Sequence, residues 1–453
     1  MSNQPVAAII LAAGRGTRMK SDLHKVLHPL AGQPMLLHLL ASVDALKPVA
    51  KVVVVGAQRE QVEAAVAGTG TAIAVQDPQH GTAHAVQQAQ SALAAFDGDV
   101  LILYGDVPLV STTTMSAMLD RLDDNAAVVV LGFRPVDAAA YGRIDSDADG
   151  RILKMVEFKD ASPAERALGL CNSGLMAVRA RDLWPLLARV GNDNAAQEYY
   201  LPDIVALSTK DGRHSVVIET TPEEVAGINS RAELAAVEAA WQAVRRRQMM
   251  DAGVSLMAPD TVWFAYDTEI GRDVTIEPNV VFGRGVSIAA GATVHAFSHI
   301  EGAKIGAGAH VGPFARLRPG TVLGANTKVG NFVEIKQARL GDGAKASHLS
   351  YLGDAEIGID ANIGAGTITC NYDGFFKYKT IIGAGAFIGS NSALVAPVTI
   401  GAGAIVGAGS VITREIEADA LATARGTQVA KAGWAARFRT AQTSRKLLDK
   451  SKA

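Results

Sequence analysis

The stretch IGAGAHVGPFARLRPGTVLGANTKVGNFVEI, residues 305–335, decides the fold of the second half of the chain. An aliphatic residue returns at every sixth position, with Gly, Ala or Asn close by. A period of six fits neither a helix nor a simple alternating strand. It is typical of a short strand followed by a tight turn, and three such units close one coil of a triangular prism. We expect the aliphatic side chains to point into the prism and the small residues to form its corners.

The same period extends in both directions from this stretch. It is disturbed at KASHLSYLGD (345–354), where His348 and Tyr351 can leave the regular prism, and it is interrupted by CNYDGFFKYKT (370–380). We expect the second segment to project as a loop, and such loops often carry function. The residues do not decide the handedness of the coil, although parallel crossovers in general are right-handed. The remaining inward positions predicted by the period are Ile270, Ile276, Phe282, Ile288, Val294, Ile300, Leu340, Ala346, Leu352, Ile357, Ile363, Ile382, Ile388, Leu394, Ile400, Val406 and Ile412.

The first half of the chain has a different pattern. Apolar runs at 6–11, 52–55, 100–104 and 128–133 alternate with helical patterns such as 34–46 and 84–93. This alternation predicts a mostly parallel sheet wound with helices.

The two halves are joined by a predicted helix over about residues 230–250. Ser230 and Glu233 form an S-x-x-E capping box in front of an apolar pattern with helical spacing. We therefore predict a domain over 1–229, a linker helix over 230–250 and a prism domain over 251–453, which ends in the basic tail TSRKLLDKSKA (443–453).

Composition excludes several classes of function. Apolar residues make up 49% of the 453 residues, charged residues 19%, and the net charge is −2, which gives no bulk attraction to nucleic acid or an anionic membrane. Cys171 and Cys370 lack the spacing of a metal site or a disulfide framework, which fits a reducing cytosol. The first apolar run is too short to cross a bilayer and lacks the basic start of a signal peptide. These features predict a cytoplasmic protein that binds neither nucleic acid nor membrane.

The segment LAAGRGTRM (11–19) follows the first predicted strand directly. Its small residues let backbone N–H groups approach phosphate oxygens at the carboxyl edge of the sheet. It is neither a Walker A sequence nor a complete G-x-G-x-x-G, which disfavours a kinase or a dehydrogenase. On these glycines alone a tight turn without a ligand is an equal alternative. Downstream, Arg18 and Lys25 are two cations that can meet a triphosphate, the alternative being solvated surface charge.

A candidate metal ligand follows another predicted strand. The run 100–104 ends in GDVP (105–108), which places Asp106 at a carboxyl end beside the phosphate loop. Mg²⁺ prefers one or two carboxylates together with phosphate oxygens and water. The alternative for Asp106 is a turn cap.

In the second half, Arg318 and Lys336 are separated by three six-residue units, which is one coil of the prism. They should therefore stack on the same face and form a phosphate site. His348 lies nearby in the disturbed stretch; a lone histidine is more often structural than catalytic, but this setting favours a catalytic role.

Residues 11–19 with Lys25 look like the signature of sugar-nucleotide pyrophosphorylases. Together with the repeats, the chain from about residue 6 to about residue 435 resembles the bacterial bifunctional N-acetylglucosamine-1-phosphate uridyltransferase and glucosamine-1-phosphate N-acetyltransferase family. The resemblance implies an α/β Rossmann-like nucleotidyltransferase domain followed by a left-handed parallel β-helix. It also implies UDP-N-acetylglucosamine as the product, a precursor of peptidoglycan and lipopolysaccharide.

For the first half, the resemblance implies UTP as co-substrate and Mg²⁺ as cofactor. Arg18 and Lys25 would act on the nucleotide phosphates, and Asp106 and Asn229 would hold the metal. The implied substrate contacts are the backbone of Leu11, Ala12, Ala13 and Gly14 for the nucleotide, Gln76, Gly81 and Thr82 for the uracil, and Tyr104, Gly105, Gly142, Glu157 and Asn172 for the sugar.

For the second half, the resemblance implies acetyl-CoA as co-substrate and a homotrimer formed through the β-helix. His348 would be the base that takes a proton from the amine, because an imidazole has its pKa near neutral pH. The implied glucosamine 1-phosphate contacts are Arg318, Lys336, Tyr351 and Asn362, and the implied acetyl-CoA positions are Ala365, Asn371, Tyr372, Ser390, Ala408 and Arg425.

Two rival interpretations remain at this stage. One is a glucose-1-phosphate nucleotidyltransferase with a shorter, regulatory β-helix; the length of the repeat and the presence of His348, Asn371 and Tyr372 argue against it. The other is a non-catalytic assembly subunit that combines the same two folds. A scaffold has no reason to keep a metal and triphosphate site, and the residues of that site are Arg18, Lys25, Asp106 and Asn229.

Overall fold

The protein is described by a computed structural model that covers residues 4–14, 16–122, 126–138 and 140–450, with residues 449 and 450 described by their backbone alone. The chain forms two compact units. One comprises the residues up to Asp251 together with Trp263–Thr268, and the other comprises Ala252–Val262 together with the chain from Glu269 onward. The helix predicted as a linker is therefore grouped with the first unit.

The first unit is built on a nine-stranded sheet. Its main path has the order β11-β7-β10-β6-β1-β4-β5, with β8 beside β10 and β9 beside β8, while β2 and β3 form a separate hairpin. All neighbours along this path are parallel except β10, which runs antiparallel to β6 and β7. The strands are β1 (Val6–Ala12), β2 (Pro29–Leu30), β3 (Gln33–Pro34), β4 (Ala50–Val55), β5 (Ala72–Val75), β6 (Asp99–Tyr104), β7 (Ala126–Phe133), β8 (Arg143–Ser146), β9 (Ile152–Val156), β10 (Cys171–Arg179) and β11 (His214–Thr220).

Helices cover both faces of this sheet, so its central strands, such as β1, β6 and β7, are buried on both sides. Alternate residues of β1 enter different cores: Ile9 packs in one cluster and Ile10 in the other. This explains why the strands appear in the sequence as continuous apolar runs. The helices are α1 (Met35–Asp44), α2 (Arg59–Val66), α3 (Thr82–Gln87), α4 (Thr112–Asp120), α5 (Pro163–Arg166), α6 (Ala180–Leu187), α7 (Asp203–Lys210) and α8 (Arg231–Asp251), with 3-10 turns at Thr17–Met19, Lys25–Leu27 and Ser91–Leu93.

The start of α8 is capped largely as the sequence predicts. Ser230 Oγ accepts a hydrogen bond from Glu233 N at 3.2 Å. The Glu233 carboxylate accepts from the backbone N–H of Asn229 at 2.6 Å, one residue earlier than in the standard capping box. Ile228 N in turn donates to Asp106 O at 3.0 Å. These bonds hold Asn229 beside the loop that follows β6.

The second unit is a prism of three parallel sheets. A short 3-10 turn, Pro259–Thr261, lies near its start. The first face comprises Ser255–Leu256, Thr275–Ile276, Thr293–Val294, His310–Val311, Lys328–Asn331, Lys345–His348, Asn362–Ile363, Phe387–Ile388, Ile405–Val406 and Leu421–Ala422. The second comprises Glu269–Ile270, Ser287–Ile288, Ala303–Ile305, Thr321–Leu323, Arg339–Leu340, Ala355–Ile357, Thr380–Ile382 and Val398–Ile400. The third comprises Val281–Phe282, His299–Ile300, Arg316–Leu317, Glu334–Lys336, Tyr351–Gly353, Ile368–Cys370, Ala393–Val395 and Val411–Ile412.

The six-residue period corresponds to the core of the prism. Every predicted inward position is buried except Ile270, which is half-buried in one of the first coils. The expected projecting loop is also present. Ile270 pairs with Ile288, which follows it by one regular coil, whereas Ile357 pairs with Ile382, which lies further along the chain than one regular coil would reach. The additional residues leave the coil, and Tyr372, Phe375 and Phe376 are exposed on them.

The described chain ends in α9 (Trp434–Lys450), which includes the first part of the basic tail. Every described side chain of α9 is exposed. No described helix combines the length and apolar content that a bilayer-spanning helix requires.

Removal of an inward side chain should destabilise the prism far more than removal of an outward one. Ile335 is fully buried, whereas Ile405 is 48% exposed on a strand of the same unit. We expect Ile335→Ala to lower the free energy of unfolding of the second unit by about 2–5 kcal/mol, because it leaves a cavity among stacked coils. Urea unfolding should show a much smaller loss for the matched variant Ile405→Ala. Equal losses would mean that Ile335 does not face a packed core.

Candidate active sites

The first candidate site is a cavity of about 370 Å³ at the carboxyl ends of β1 and β6. Most of the predicted nucleotide-binding residues meet there. The cavity is lined by Leu11, Ala12, Ala13, Gly14, Lys25, Val26, Gln76, Gln79, Gly81, Thr82, Ala85, Tyr104, Asp106 and Glu198. Gly105 lies directly behind this wall, since its N–H donates to Leu11 O at 2.9 Å.

The predicted metal ligands are held together around one cation. The Lys25 ammonium pairs with the Asp106 carboxylate and donates to Asn229 Oδ1 at 3.1 Å. Three distant segments of the chain therefore present two oxygens and one positive charge at a single point. The carboxylate and the amide oxygen are far apart in sequence, so only the fold brings them together.

Gln76 lies at the opposite side of this cavity and is only 4% exposed. Its Nε2 donates to Gly81 O at 2.9 Å and lies 3.3 Å from His84 Nδ1. Gly81 has a φ of +114°, and a Cβ there would be 2.6 Å from Tyr199 O. This position therefore requires glycine, because the Tyr199 backbone and a positive φ leave no room for a side chain, and the predicted contact of Gly81 with the uracil stays a prediction.

The predicted sugar-binding residues form a second, adjacent group. Asn172 N donates to Gly142 O at 3.0 Å, and a Cβ on Gly142 would lie 3.3 Å from Glu157 Oε1. The Glu157 carboxylate therefore covers Gly142. Burial, followed by the charges of Asp106 and Glu157, raises the pKa of Tyr104 above its ordinary value. The phenol is thus neutral at physiological pH and offers the cavity a hydroxyl group.

Arg18 lies on the exposed turn Thr17–Met19 and is not among the residues that line the cavity. Its predicted contact with the phosphates therefore stays a prediction. Arg15 of the same segment lies outside the described residues.

The second candidate site surrounds His348 on the prism. His348 is exposed, and its Nδ1 lies 2.7 Å from Asn331 Oδ1 on the preceding coil. Because an amide oxygen only accepts, this contact places a proton on Nδ1. In the neutral ring this tautomer places the lone pair on the other nitrogen, Nε2, which is the atom that can act as a base.

The predicted phosphate-binding cations are stacked as expected. Leu317 pairs with Ile335 in register, so Arg318 and Lys336, which follow them, lie on neighbouring coils. Arg318 is held by Glu334 at 2.8 Å. The adjacent Lys377 ammonium, and more weakly Arg318, lower the pKa of Lys336 below its ordinary value. Three cations on one surface form a suitable site for a phosphate dianion.

The remaining predicted residues extend this surface in two directions. Asn371 and the Tyr351 hydroxyl both lie over Gly353, where a Cβ would be 2.8 Å and 2.4 Å from them. Tyr372 is exposed on the projecting loop, and its hydroxyl donates to Gly374 O at 2.5 Å. Asn362 pairs with Lys345 on the first face of the prism.

Four of the six predicted acetyl-CoA positions form a column along one corner of the prism. Gly366 N donates to His348 O, Asn391 N to Ala365 O and Gly409 N to Ser390 O, at 3.4, 2.7 and 2.8 Å. Arg425 Nη1 then donates to Ala408 O at 2.8 Å. The backbone ladder thus carries the column from His348 through Ala365 and Ser390 to Ala408 and Arg425.

Sequence reasoning missed several residues of both sites. Gln79 and Glu198 line the first cavity, and Gln79 also donates to Ala13 O. Lys377 and Asn331 belong to the second site. Lys377 had a usable signal, because it is a cation within the one predicted projecting loop.

The fold and the sites together define a nucleotidyltransferase joined to a hexapeptide-repeat transferase. Residues 8–251 match the model of the MobA-like NTP transferase domain. Residues 267–302, 302–337 and 379–414 match the bacterial transferase hexapeptide model. The predicted fold class, an α/β nucleotidyltransferase domain followed by a left-handed parallel β-helix, is confirmed.

Curated relatives resemble the chain over its whole length. Bifunctional protein GlmU of Sphingopyxis alaskensis is 66% identical over 99% of this chain and 100% of the relative. The proteins of the same name from Rhizorhabdus wittichii and Zymomonas mobilis are 66% and 58% identical, over 99% and 97% of this chain and 100% and 98% of their own lengths. The chain belongs to the bifunctional GlmU family. It is a bifunctional acetyltransferase and uridyltransferase, so both rival interpretations are set aside.

The half-buried Glu157 carboxylate of the first site should reduce stability at neutral pH. Burial, followed by the charges of Asp160 and Asp203, raises the pKa of Glu157 above its ordinary value of 4.5. The Glu157 carboxyl group therefore makes its full contribution to stability when the pH lies below its pKa in the unfolded chain. It loses this contribution as the pH rises through its pKa in the folded protein. We expect Glu157→Gln to raise the melting temperature of the ligand-free protein at pH 7.5.

This gain should shrink as the pH falls toward 4.5, because a larger fraction of the wild-type carboxylate is then protonated in the folded state. Thermal unfolding of both proteins across this pH range measures the difference. The exposed Glu223 provides a matched control, and Glu223→Gln should change the melting temperature little. A loss of stability in Glu157→Gln at pH 7.5 would contradict the assignment of Glu157 as a half-buried, unfavourably placed charge.

Proposed function

We propose that the first unit joins N-acetylglucosamine 1-phosphate to UTP, giving UDP-N-acetylglucosamine and pyrophosphate. A phosphate oxygen of the sugar attacks the α-phosphorus of UTP, and the bond to the β-phosphate breaks. The observation that carries this proposal is the convergence of Lys25, Asp106 and Asn229 at the phosphate loop. The attacking phosphate is already an anion, so the site needs no side-chain nucleophile.

The donor set suits Mg²⁺. Asp106 supplies a carboxylate and Asn229 an amide oxygen, and both already surround the Lys25 ammonium. Among the residues that the structure describes, no cluster of three His, Cys, Asp or Glu side chains forms a full metal cage. Two protein oxygens are what Mg²⁺ ordinarily takes when phosphates and waters complete its shell. When bound there, the ion would neutralise charge on the triphosphate.

The chain's own residues supply position and charge for this reaction. The backbone of residues 11–14 lies along the cavity and offers N–H groups to the nucleotide. Lys25, once its carboxylate partner binds the metal, can turn its ammonium to a phosphate oxygen, and Arg18 is placed on the adjoining turn. Gln76 and the Gly81–Thr82 backbone bind the uracil, and the Tyr104, Gly142, Glu157 and Asn172 group binds the sugar.

The second unit, in this proposal, acetylates glucosamine 1-phosphate with acetyl-CoA. Arg318 and Lys336 grip the phosphate, with Tyr351 and Asn362 beside them. The sugar amine attacks the thioester carbonyl, the C–N bond forms, the C–S bond breaks, and the thiol of CoA leaves. His348 Nε2 takes the proton of the amine, and Asn331 holds the imidazole in the required tautomer.

The column of residues beyond His348 would receive the pantetheine arm and nucleotide of acetyl-CoA. Ala365, Ser390 and Ala408 present small side chains there, with Asn371 and Tyr372 near the acetyl group and Arg425 at the far end. A homotrimer through the β-helix would close this exposed surface. We assign the enzyme to the cytoplasm, which supplies both co-substrates and suits its two free cysteines.

Asp106→Ala should lower pyrophosphate release from UTP by about a hundredfold or more, since it removes the carboxylate proposed to hold Mg²⁺, and with it the positive charge that faces the phosphates. Release of free thiol from acetyl-CoA in the same preparation should stay near normal. Asp149 provides a control, because it is exposed on a turn of the same unit, and Asp149→Ala should affect neither activity. If both activities of a folded Asp106→Ala protein fell together, the assignment of the metal site to one reaction would fail.

His348→Ala should lower the turnover of acetyl transfer by about 10²–10⁴-fold, the usual contribution of a general base. Lys336→Ala should instead act mainly by raising the KM for glucosamine 1-phosphate. The exposed His310, on the same face of the prism, gives the control variant His310→Ala with normal rates. Near-normal acetyl transfer by His348→Ala at neutral pH would show that another group, or water, takes the proton.

A further inference from the structure

We infer that His84 is a positioning residue for base selection: it holds the Gln76 amide so that only an acceptor, Gln76 Oε1, faces the nucleobase. The inference rests on the proposed nucleotide site and adds a residue to it. The orientation of the Gln76 amide follows from the directions of three hydrogen bonds.

The first bond fixes the orientation of the amide. Gln76 lies 2.9 Å from the backbone carbonyl oxygen of Gly81. A carbonyl oxygen can only accept, so the atom of Gln76 that meets it must be the NH₂ group. The backbone around Gly81 is held in place by its neighbours, since Ala83 N donates to Tyr199 O at 2.9 Å and Tyr199 N donates to His80 O at 2.8 Å.

The second bond uses the other hydrogen of the same NH₂ group. Gln76 Nε2 lies 3.3 Å from His84 Nδ1. An amide nitrogen has no lone pair to offer, so Nδ1 must be the acceptor and the imidazole must be neutral, with its proton on Nε2. Burial, followed by the charge of His80, lowers the pKa of His84, which agrees with a neutral ring.

The third bond is therefore left to the ligand. Both hydrogens of Gln76 are used, and within the described residues no donor reaches Gln76 Oε1. Gln76 lines the cavity together with Gly81 and Thr82. The site thus presents a hydrogen-bond acceptor to the base. Uracil carries an N3–H donor, whereas cytosine has a lone pair at N3, so cytosine would meet acceptor against acceptor.

His84 is needed because Gly81 alone gives the Gln76 amide only one hydrogen bond that fixes its orientation. A flipped Gln76 would place Oε1 against Gly81 O, at the cost of one hydrogen bond. With His84 Nδ1 as a second acceptor, the same flip costs two bonds and brings Oε1 against two acceptors, unless the imidazole proton moves to Nδ1, which has its own free-energy cost. The histidine therefore suppresses the amide orientation that would accept cytosine.

The test compares kcat/KM for UTP and CTP in the full-length protein and four variants. His84→Ala should lower the UTP to CTP ratio by about two- to tenfold, the value of one net hydrogen bond, mainly through a higher KM for UTP. His84→Asn, whose Oδ1 can replace the Nδ1 acceptor, should keep a ratio close to the wild type. His80→Ala is the matched control and should leave the ratio unchanged. The centroids of the His80 and His84 rings lie 5.2 Å apart, but the hydrogen bonds of Gln76 within the described residues go to Gly81 and His84.

Gln76→Ala distinguishes a failure of the proposed nucleotide site from a failure of the role inferred for His84. If it leaves the ratio unchanged, Gln76 does not read the base and the proposed nucleotide site fails with the inference. If Gln76→Ala lowers the ratio and His84→Ala does not, only the inference about His84 fails. Equal loss of kcat in His84→Ala and His84→Asn, with an unchanged ratio, would show a merely structural histidine. Acetyl transfer by each preparation reports that the chain is folded.

Discussion

Each coil of the prism can bury its aliphatic side chains only by donating backbone N–H groups to the carbonyls of the next coil. Examples are Gly312 to Val329, Arg318 to Ile335 and Gly324 to Leu340, at 2.8–2.9 Å. Strands joined in this way lie about 4.8 Å apart, so residues of equal register form straight columns. Columns of inward-facing aliphatic residues form the core, and columns of outward-facing residues form the surface around His348. The proposed acetyltransferase site is therefore a by-product of the same ladder that stabilises the fold.

In the first unit, backbone hydrogen bonds between the strands of a sheet likewise position the functional residues. Gly105 N donates to Leu11 O, and this bond continues the pairing of β6 with β1 beyond the last strand residue. The loops after both strands are thereby held side by side, which brings Asp106 next to the phosphate loop. In both units the functional groups lie where a regular backbone pattern ends or is interrupted, because only there can side chains and free N–H groups face a ligand.

The sequence predicts most of this because the underlying patterns are periodic. A step of six identifies the core of the prism, and three such steps place Arg318 on Lys336 without any structure. The same reasoning misses Asn331, since the coil between it and His348 is shorter than three full steps and the corner displaces the pairing from the regular period. It also misses Lys377, because the path of a projecting loop does not follow the six-residue period. Glu198 is missed because it lies far in sequence from the other residues of its site. Contacts that form only when corners, loops and distant segments come together in the folded chain leave no periodic signal in the sequence.

The two sites also show how a polar side chain acquires one defined role. Gln76 and His348 can each present more than one pattern of donors and acceptors to a ligand. A neighbour removes this freedom by occupying one set of positions: Gly81 O and His84 consume the donors of Gln76, and Asn331 engages Nδ1 of His348. A backbone carbonyl is the stricter partner, because it can never donate, whereas the amide of Asn331 can rotate and offer its NH₂ group. The orientation of Gln76 is therefore held by chemistry alone, and that of His348 depends further on how the packing around Asn331 restrains its amide.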